Sequence, residues 1–296
     1  MEDHVSTSAK LNEATVLYDI KGSTMSAQST PSFWTTTVSD IMPEDVYIRG
    51  YPLRSILGRL SFSAVSYLII RGAMPTPGQA RMMETVLCAI LDYSLQKSGT
   101  VAARFVVSVN PQMTAGLAAG VLAAGEHAMS PEHTGRFMID NYRRWKESGE
   151  SVDTFAGKFV AELRRTKARV PGFGHQVFRG VDPRAERIKE VAQEVGVWGP
   201  YGEWYEAVHR AFKAAAAKPD LVINDMGMLA CVLAEMGFTP QEMVGLSILS
   251  TFPGLIAHVS EEISSGVRNR IVPDSIASIP RNRRDLEEDL KSAGWS

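Results

Sequence analysis

The sequence predicts an all-α protein, and three observations carry that expectation. From Leu53 onward apolar residues recur mainly at helical spacing, strand-like alternation is scarce, and the breaks between periodic segments are short and rich in proline and capping residues. A chain of 296 residues is long enough to bury a full core in one large or two smaller domains.

Taken in order, residues 1–30 are rich in Ser, Thr and other polar types and read as an N-terminal arm, with the compact fold beginning near Pro31. Helical spacing runs over Ser61–Ile70 and Gln79–Leu95, separated by Pro75 and Pro77. It resumes over Thr114–Ala124 and Glu132–Trp145, the latter opened by a capping Ser130 and a first-turn Pro131. A helix after Ser151 leads through Arg164, Arg165, Lys167 and Arg169 into a glycine turn. Pro183–Val195, Tyr201–Ala217, Met226–Met236, Pro240–Leu249 and a long helix from Pro253 to about Ser264 follow. Neither an internal repeat nor a linker between independent units is visible.

Acidic and basic residues nearly balance, with a formal charge of -2 and a pI near 6.3, which argues against nucleic acid and anionic membrane surfaces as partners. A small-molecule ligand fits better. Cys88 and Cys231 lie far apart in apolar surroundings and read as buried free thiols, as expected in a reducing cytoplasm. No positively charged leader opens the chain and no apolar stretch reaches about 20 residues, so neither secretion nor membrane insertion is expected.

The chemistry concentrates in Val170–Arg184, which reads VPGFGHQVFRGVDPR. Gly172 and Gly174 let the backbone around Phe173 turn tightly and approach a ligand, and they place His175, a proton donor or acceptor near neutral pH, on the loop. Arg184 stands at a helix start, where its guanidinium can grip a carboxylate with two parallel hydrogen bonds. Asp225 follows Asn224 where an apolar run meets a helix, as either a helix cap or a base. The cluster Arg164, Arg165, Lys167 and Arg169 suits phosphates. Arg281, Arg283 and Arg284 form a second basic cluster that reads equally as a solvated face. His127 and His133, six apart, have no metal-ligand spacing, so no metal is expected, and His258 in an apolar segment reads as a core or interface residue.

At these residues the sequence resembles the citrate synthase superfamily, whose members carry a Gly-aromatic-Gly-His turn followed by Asp-Pro-Arg at this spacing. Phe33-Trp34-Thr35-Thr36 with Arg49-Gly50-Tyr51, Leu68 to Pro77, and the run Gly254 to Glu262 look similar to the short citryl-CoA lyase branch. The resemblance implies a mostly helical homodimer with a large domain (31–150 and 251–296) and a smaller domain (151–250) closing over coenzyme A. It implies an enzyme making or breaking a carbon-carbon bond between an acyl-CoA and a small 2-oxoacid, with the CoA thioester as substrate and no separate cofactor. His175 then hydrogen-bonds the oxoacid carbonyl or alkoxide, Gly172, Phe173 and Gly174 border the substrate, Arg184 binds a carboxylate, Asp225 or His127 moves the proton, and the first basic cluster meets CoA.

The sequence departs from the family pattern at four places. Ala128 stands where a histidine polarises the thioester, with His127 one residue early. Asn224-Asp225-Met226 replaces Asn-X-Asp, Thr251-Phe252-Pro253 lacks a second carboxylate-binding arginine, and Asp92-Tyr93-Ser94 replaces an Asp-His-Gly-like segment. A less charged substrate, or a non-catalytic acyl-CoA-binding or regulatory paralogue, is the alternative these departures raise.

Overall fold

Short polar side chains followed by good helix formers set most of the helix starts. Ser61, Thr76, Ser151, Asp182, Asn224 and Thr239 each accept a backbone N–H of the next turn, and Thr76 with Gln79 and Thr239 with Glu242 close reciprocal capping boxes. In this computed structural model the described residues are 33–92, 94–125, 131–280 and 282–295. The chain divides into two units, Met1–Thr37 and Val38–Ser296. The arm expected over residues 1–30 lies outside the described residues. Of the first unit, 33–37 are described, with the exposed rings of Phe33 and Trp34 5.4 Å apart.

The second unit opens with an antiparallel meander of β1 (Ser39–Met42), β2 (Asp45–Ile48) and β3 (Tyr51–Pro52), in that order. Helices follow: α1 (Leu53–Ile56), α2 (Phe62–Arg71), α3 (Pro77–Ala89), α4 (Ser98–Val109), α5 (Met113–Leu122), α6 (Pro131–Ser148) and α7 (Val152–Arg165). After the glycine turn come α8 (Pro183–Glu194), α9 (Pro200–Ala216), α10 (Asp225–Glu235), α11 (Pro240–Ser264) and α12 (Leu286–Ser292). The all-α class therefore holds, with a small meander added at the front.

Three boundaries differ from expectation. Gln79–Leu95 is not one helix: α3 ends at Ala89, and a separate α4 begins at Ser98. The valine-rich sequence of α4 has little intrinsic helix preference, and packing on α5 and α11 determines its state. Pro240–Ser264 is one 25-residue helix that absorbs Pro253. It is long and apolar enough by composition to cross a membrane. In the fold it packs against α3, α4, α5 and α6 and carries the buried Glu262.

The main core gathers Met82, Met83, Met138, Trp204, Tyr205, Phe238, Met243 and Leu246 from α3, α6, α9, α11 and the α10–α11 connection. A smaller cluster joins Ala103, Val107, Leu255 and Val259 across α4 and α11, with α5 laid against them. Glycine permits that contact, since a Cβ on Gly116 would meet a Val259 methyl at 2.6 Å and one on Gly120 a Leu255 methyl at 2.7 Å. Cys231 is buried as expected. Cys88 is exposed, because its position on α3 faces the groove beside α8 rather than the core.

Candidate active site

The glycine turn is locked to the start of α10 by backbone and amide hydrogen bonds. Asn224 N–H donates to the Gly172 carbonyl at 2.9 Å, Gly174 N–H donates to Val222 at 2.8 Å, and the Asn224 side-chain amide donates to the Gly174 carbonyl at 2.9 Å. Asn224 Oδ1 accepts the Gly227 N–H at 3.0 Å, so the cap of α10 is Asn224 and leaves the Asp225 carboxylate for other use. Gly172 has φ +81, and a Cβ there would lie 2.4 Å from the Tyr205 hydroxyl and 2.5 Å from Gly227 Cα. Gly174, with φ +85, meets nothing closer than Leu221 at 3.7 Å.

Phe173 turns its ring inward, against Tyr205 and His209 at 5.0 Å each. Gly172 and Phe173 thus lie in the packing beneath the loop rather than on the lining of the adjacent cavity, because that packing is what holds the turn. His209 completes the support by donating from Nε2 to the Leu221 carbonyl at 2.9 Å, and burial lowers its pKa, favouring the neutral ring this bond uses.

His175 sits at the mouth of this turn with its tautomer determined by the backbone. Its Nδ1 accepts N–H groups from Val177 and Phe178, both at 3.1 Å, which places the ring hydrogen on Nε2. Phe178 stacks on the imidazole at 4.6 Å. His175 and Gly174 line a cavity of about 380 Å³ with Arg179, Lys218, Pro219 and Leu221. Arg179 folds back onto its own loop, donating to the His175 carbonyl at 2.7 Å.

Arg184 joins the two halves of the motif. Its Nε and Nη2 hold Asp182 at 3.0 and 2.7 Å, its Nη1 holds Asp225 Oδ2 at 2.7 Å, and its guanidinium lies 5.2 Å from the Phe178 ring centre. Burial alone would raise the Asp182 carboxyl, but the hydrogen bonds and charge of Arg184 outweigh it and hold Asp182 below its ordinary value. Asp225 is buried beside it. One arginine is therefore divided between two carboxylates, of which Asp182 caps α8 and Asp225 opens α10.

A second polar group, unforeseen in the sequence, lies where α4 meets α11. His258 Nε2 bonds Asp92 at 3.1 Å, Arg104 bonds Glu262 at 2.7 Å and Glu261 at 2.6 Å, and Arg270 closes on Glu262 from the other side. Lys97, half-buried at the start of α4, feels the charges of both Asp92 and Asp225. These residues come from segments up to 166 positions apart, so no local motif announces them.

The other candidates scatter. Arg164, Arg165, Lys167 and Arg169 are all exposed at and beyond the end of α7 and are absent from the lining of the His175 cavity, whose cations are Arg179 and Lys218. Arg179 stood inside the motif and Lys218 directly before Pro219, so both carried a local signal. His127 and Ala128 lie outside the described residues, as does Arg281, while Arg283 and Arg284 are exposed. No group of three or more metal-ligating side chains occurs among the described residues.

Comparison with known proteins places this geometry. Residues 75–273 match the family described as "Citrate synthase, C-terminal domain". Citryl-CoA lyase from Hydrogenobacter thermophilus superposes with a TM-score of 0.79 at 32% identity, over 88% of this chain and 100% of that one. Citrate synthase from Thermoplasma acidophilum superposes with a TM-score of 0.60 at 22% identity, over 77% of this chain and 60% of that one, a likeness of fold. Citrate synthase 2 of Bacillus subtilis (strain 168) is 24% identical over 205 residues, covering 69% of this chain and 52% of the relative. The chain thus spans about half the length of the curated relatives it matches. With a glycine turn, His175, Arg184 and Asp225 assembled on a helical scaffold of this kind, the chain belongs to the citrate synthase family, its similarity running toward the citryl-CoA lyase branch.

Proposed function

We propose that the protein is a CoA-dependent carbon-carbon lyase or synthase, working on a citryl-type thioester or on an acyl-CoA with a small 2-oxoacid. The observation that carries the reading is the fixed tautomer of His175, which offers an Nε2 hydrogen beside a cavity wide enough for part of a CoA thioester. A preorganised donor of this kind stabilises oxygen charge as it changes between alkoxide and carbonyl.

In the cleavage direction the substrate hydroxyl loses its proton, the carbon-carbon bond breaks, and its electron pair passes to the acyl-CoA as an enolate that takes up a proton at carbon. His175 holds the oxygen, Arg184 a carboxylate, and Asp225 or His127 carries the proton. Arg179 and Lys218 at the cavity support the CoA end, with the cluster Arg164 to Arg169 as a more distant phosphate contact. Residues 151–250 carry the glycine turn and act as the closing part over the rest. A second copy of the chain covers the exposed apolar side chains Phe105, Val106, Val109 and Leu122 of α4 and α5, making a homodimer. The free thiols Cys88 and Cys231 suit a cytoplasmic setting.

Incubation with citryl-CoA, and in reverse with acetyl-CoA and a panel of 2-oxoacids, tests the reading through thioester consumption. Turnover that collapses in His175→Ala supports it, and no turnover of any thioester rejects it. The ion pair between Arg184 and Asp225 favours one other reading, an acyl-CoA-binding protein without chemistry, because it occupies the base. Tight CoA binding without product would identify that case.

A further inference from the structure

The face of α3 that the core leaves uncovered lies against α8 and borders a groove of about 630 Å³. We propose that this groove binds a free aliphatic carboxylate of medium length, with its head between Arg81 and Arg187 and its tail running toward Cys88. The groove is distinct from the cavity at His175, since among the described residues the two linings have no member in common.

Each wall is one helix face. Arg81, Glu84, Thr85 and Cys88 recur at i, i+3, i+4 and i+7 along α3, and Arg184, Arg187, Ile188 and Val191 repeat that spacing along α8. The start of α3 meets the end of α8, where Arg81 Nη2 donates to Glu194 at 2.7 Å and a Cβ on Gly78 would lie 2.4 Å from the Val195 carbonyl oxygen. Toward the other end Thr85, Cys88 and Ala89 are too short to fill the space opposite Pro183 and Ile188, which is why the groove exists. From Arg81 to Ala89 it extends about 12 Å at 1.5 Å per helical residue, and its volume falls in the range of small-molecule sites, roughly 300–1,000 Å³.

The distribution of charge along the groove identifies the ligand class. At one end Arg81 and Arg187 both hold Glu194, and Arg187 Nη1 donates to Glu190 at 2.7 Å and to Glu194 at 3.0 Å. Among the described residues these bonds use one nitrogen of each guanidinium, which carries five N–H donors, so a further carboxylate can be held beside Glu194. Arg184, at the other end, is already divided between Asp182 and Asp225, so that end receives the tail. Glu84 on the same lining is engaged by the Ser63 hydroxyl of α2. Between the ends the walls are the aliphatic Ala89, Pro183, Ile188 and Val191, and no aromatic ring among the described lining residues offers a base a surface to stack on. An aliphatic acid fits this lining, and a nucleotide does not.

The exposed Cys88 thiol reports occupancy, and the buried Cys231 serves as the unreactive control. Octanoate binding to the full-length protein is measured by calorimetry, and alkylation of Cys88 by iodoacetamide is followed by mass spectrometry. At about ten times its dissociation constant octanoate slows alkylation by about tenfold, while acetate, a head without a tail, and octanol, a tail without a head, leave the rate unchanged at the same concentration. Arg187→Gln weakens octanoate by about tenfold without altering Cys88 alkylation in the unliganded protein, and Cys88→Phe, which fills the groove, abolishes binding with the thermal unfolding midpoint retained. Full alkylation in saturating octanoate, equal protection by octanol or acetate, or unaltered octanoate affinity in Arg187→Gln overturns the proposal. No thioester enters the measurement, so its outcome is independent of the proposed activity.

Discussion

Arg184 and Glu262 are mirror images of one another. At Arg184 one guanidinium is divided between two carboxylates, Asp182 and Asp225, whereas at Glu262 one carboxylate is gripped by two guanidinium groups, Arg104 and Arg270. Both bury a carboxylate side chain completely, Asp182 in the first and Glu262 in the second. In both, arginine holds the carboxyl below its ordinary value against the opposing effect of burial. The difference lies in what remains unbalanced. The Arg184 group keeps an excess carboxylate at the start of α10, beside a cleft, and the Glu262 group ends in helix packing. The first holds the groups proposed to carry the chemistry, and the second anchors the loop after α11 to α4.

The sharpest way to break this comparison is at Glu262. Glu262→Ala removes the buried carboxylate between Arg104 and Arg270, leaving Arg104 its contact with the exposed Glu261, and is expected to cost about 3–5 kcal/mol of stability, read by denaturant unfolding. Turnover per folded molecule should stay near that of the parent protein. A loss below about 1 kcal/mol would mean that the Glu262 group behaves as a surface pair and the contrast is void.

His175 makes the reciprocal test. Its Nδ1 contacts are to a partly exposed loop, so His175→Ala should change stability by less than about 1 kcal/mol yet reduce kcat by about 10²–10³, measured on the thioester that turns over. A large stability loss with little effect on rate would reassign His175 to the scaffold.

The smallest effects come from pH. Asp182 and Glu262 have lowered folded pKa values, so their contribution is present above the ordinary carboxylate range near 4 and is lost as pH falls through those lowered values. Glu235, half-buried and accepting N–H groups of Tyr201 and Gly202 at 2.7 and 3.1 Å, is raised by burial despite those bonds. Its contribution has the opposite sign, present at low pH and lost as pH rises through its raised value. Glu235→Gln should therefore stabilise the protein at pH 7 relative to pH 4, by under about 1 kcal/mol, in unfolding curves taken at the two pH values. An equal change at both would show that Glu235 acts through its bonds alone.

Much of the fold was legible in the sequence because caps, prolines and helical spacing are local. Thr239 with Glu242, and Asp182 before Pro183, do in the structure what their order implies. The misreadings occurred where local preference and packing disagree. The valine-rich α4 adopts a helix through its packing on α5 and α11, with Val107 buried, and Pro253 is carried inside α11, which packs against four other helices. At the site, His175, Arg184 and Asp225 were visible because one motif and one helix start contain them. The inward turn of Phe173 and the exchange of the capping role from Asp225 to Asn224 were not, since both depend on Tyr205, Gly227 and Gly172 meeting in space.

By itself the sequence determined the helical class, the glycine turn and the presence of a histidine and an arginine at set spacing, because these follow from backbone freedom and side-chain chemistry within a few residues. The tertiary structure decided which tautomer His175 holds, that Arg184 pairs with Asp225, and that Asp92 and His258, 166 positions apart, meet in space. Those outcomes are electrostatic, and charges interact through distance in space, which a linear order of residues does not contain.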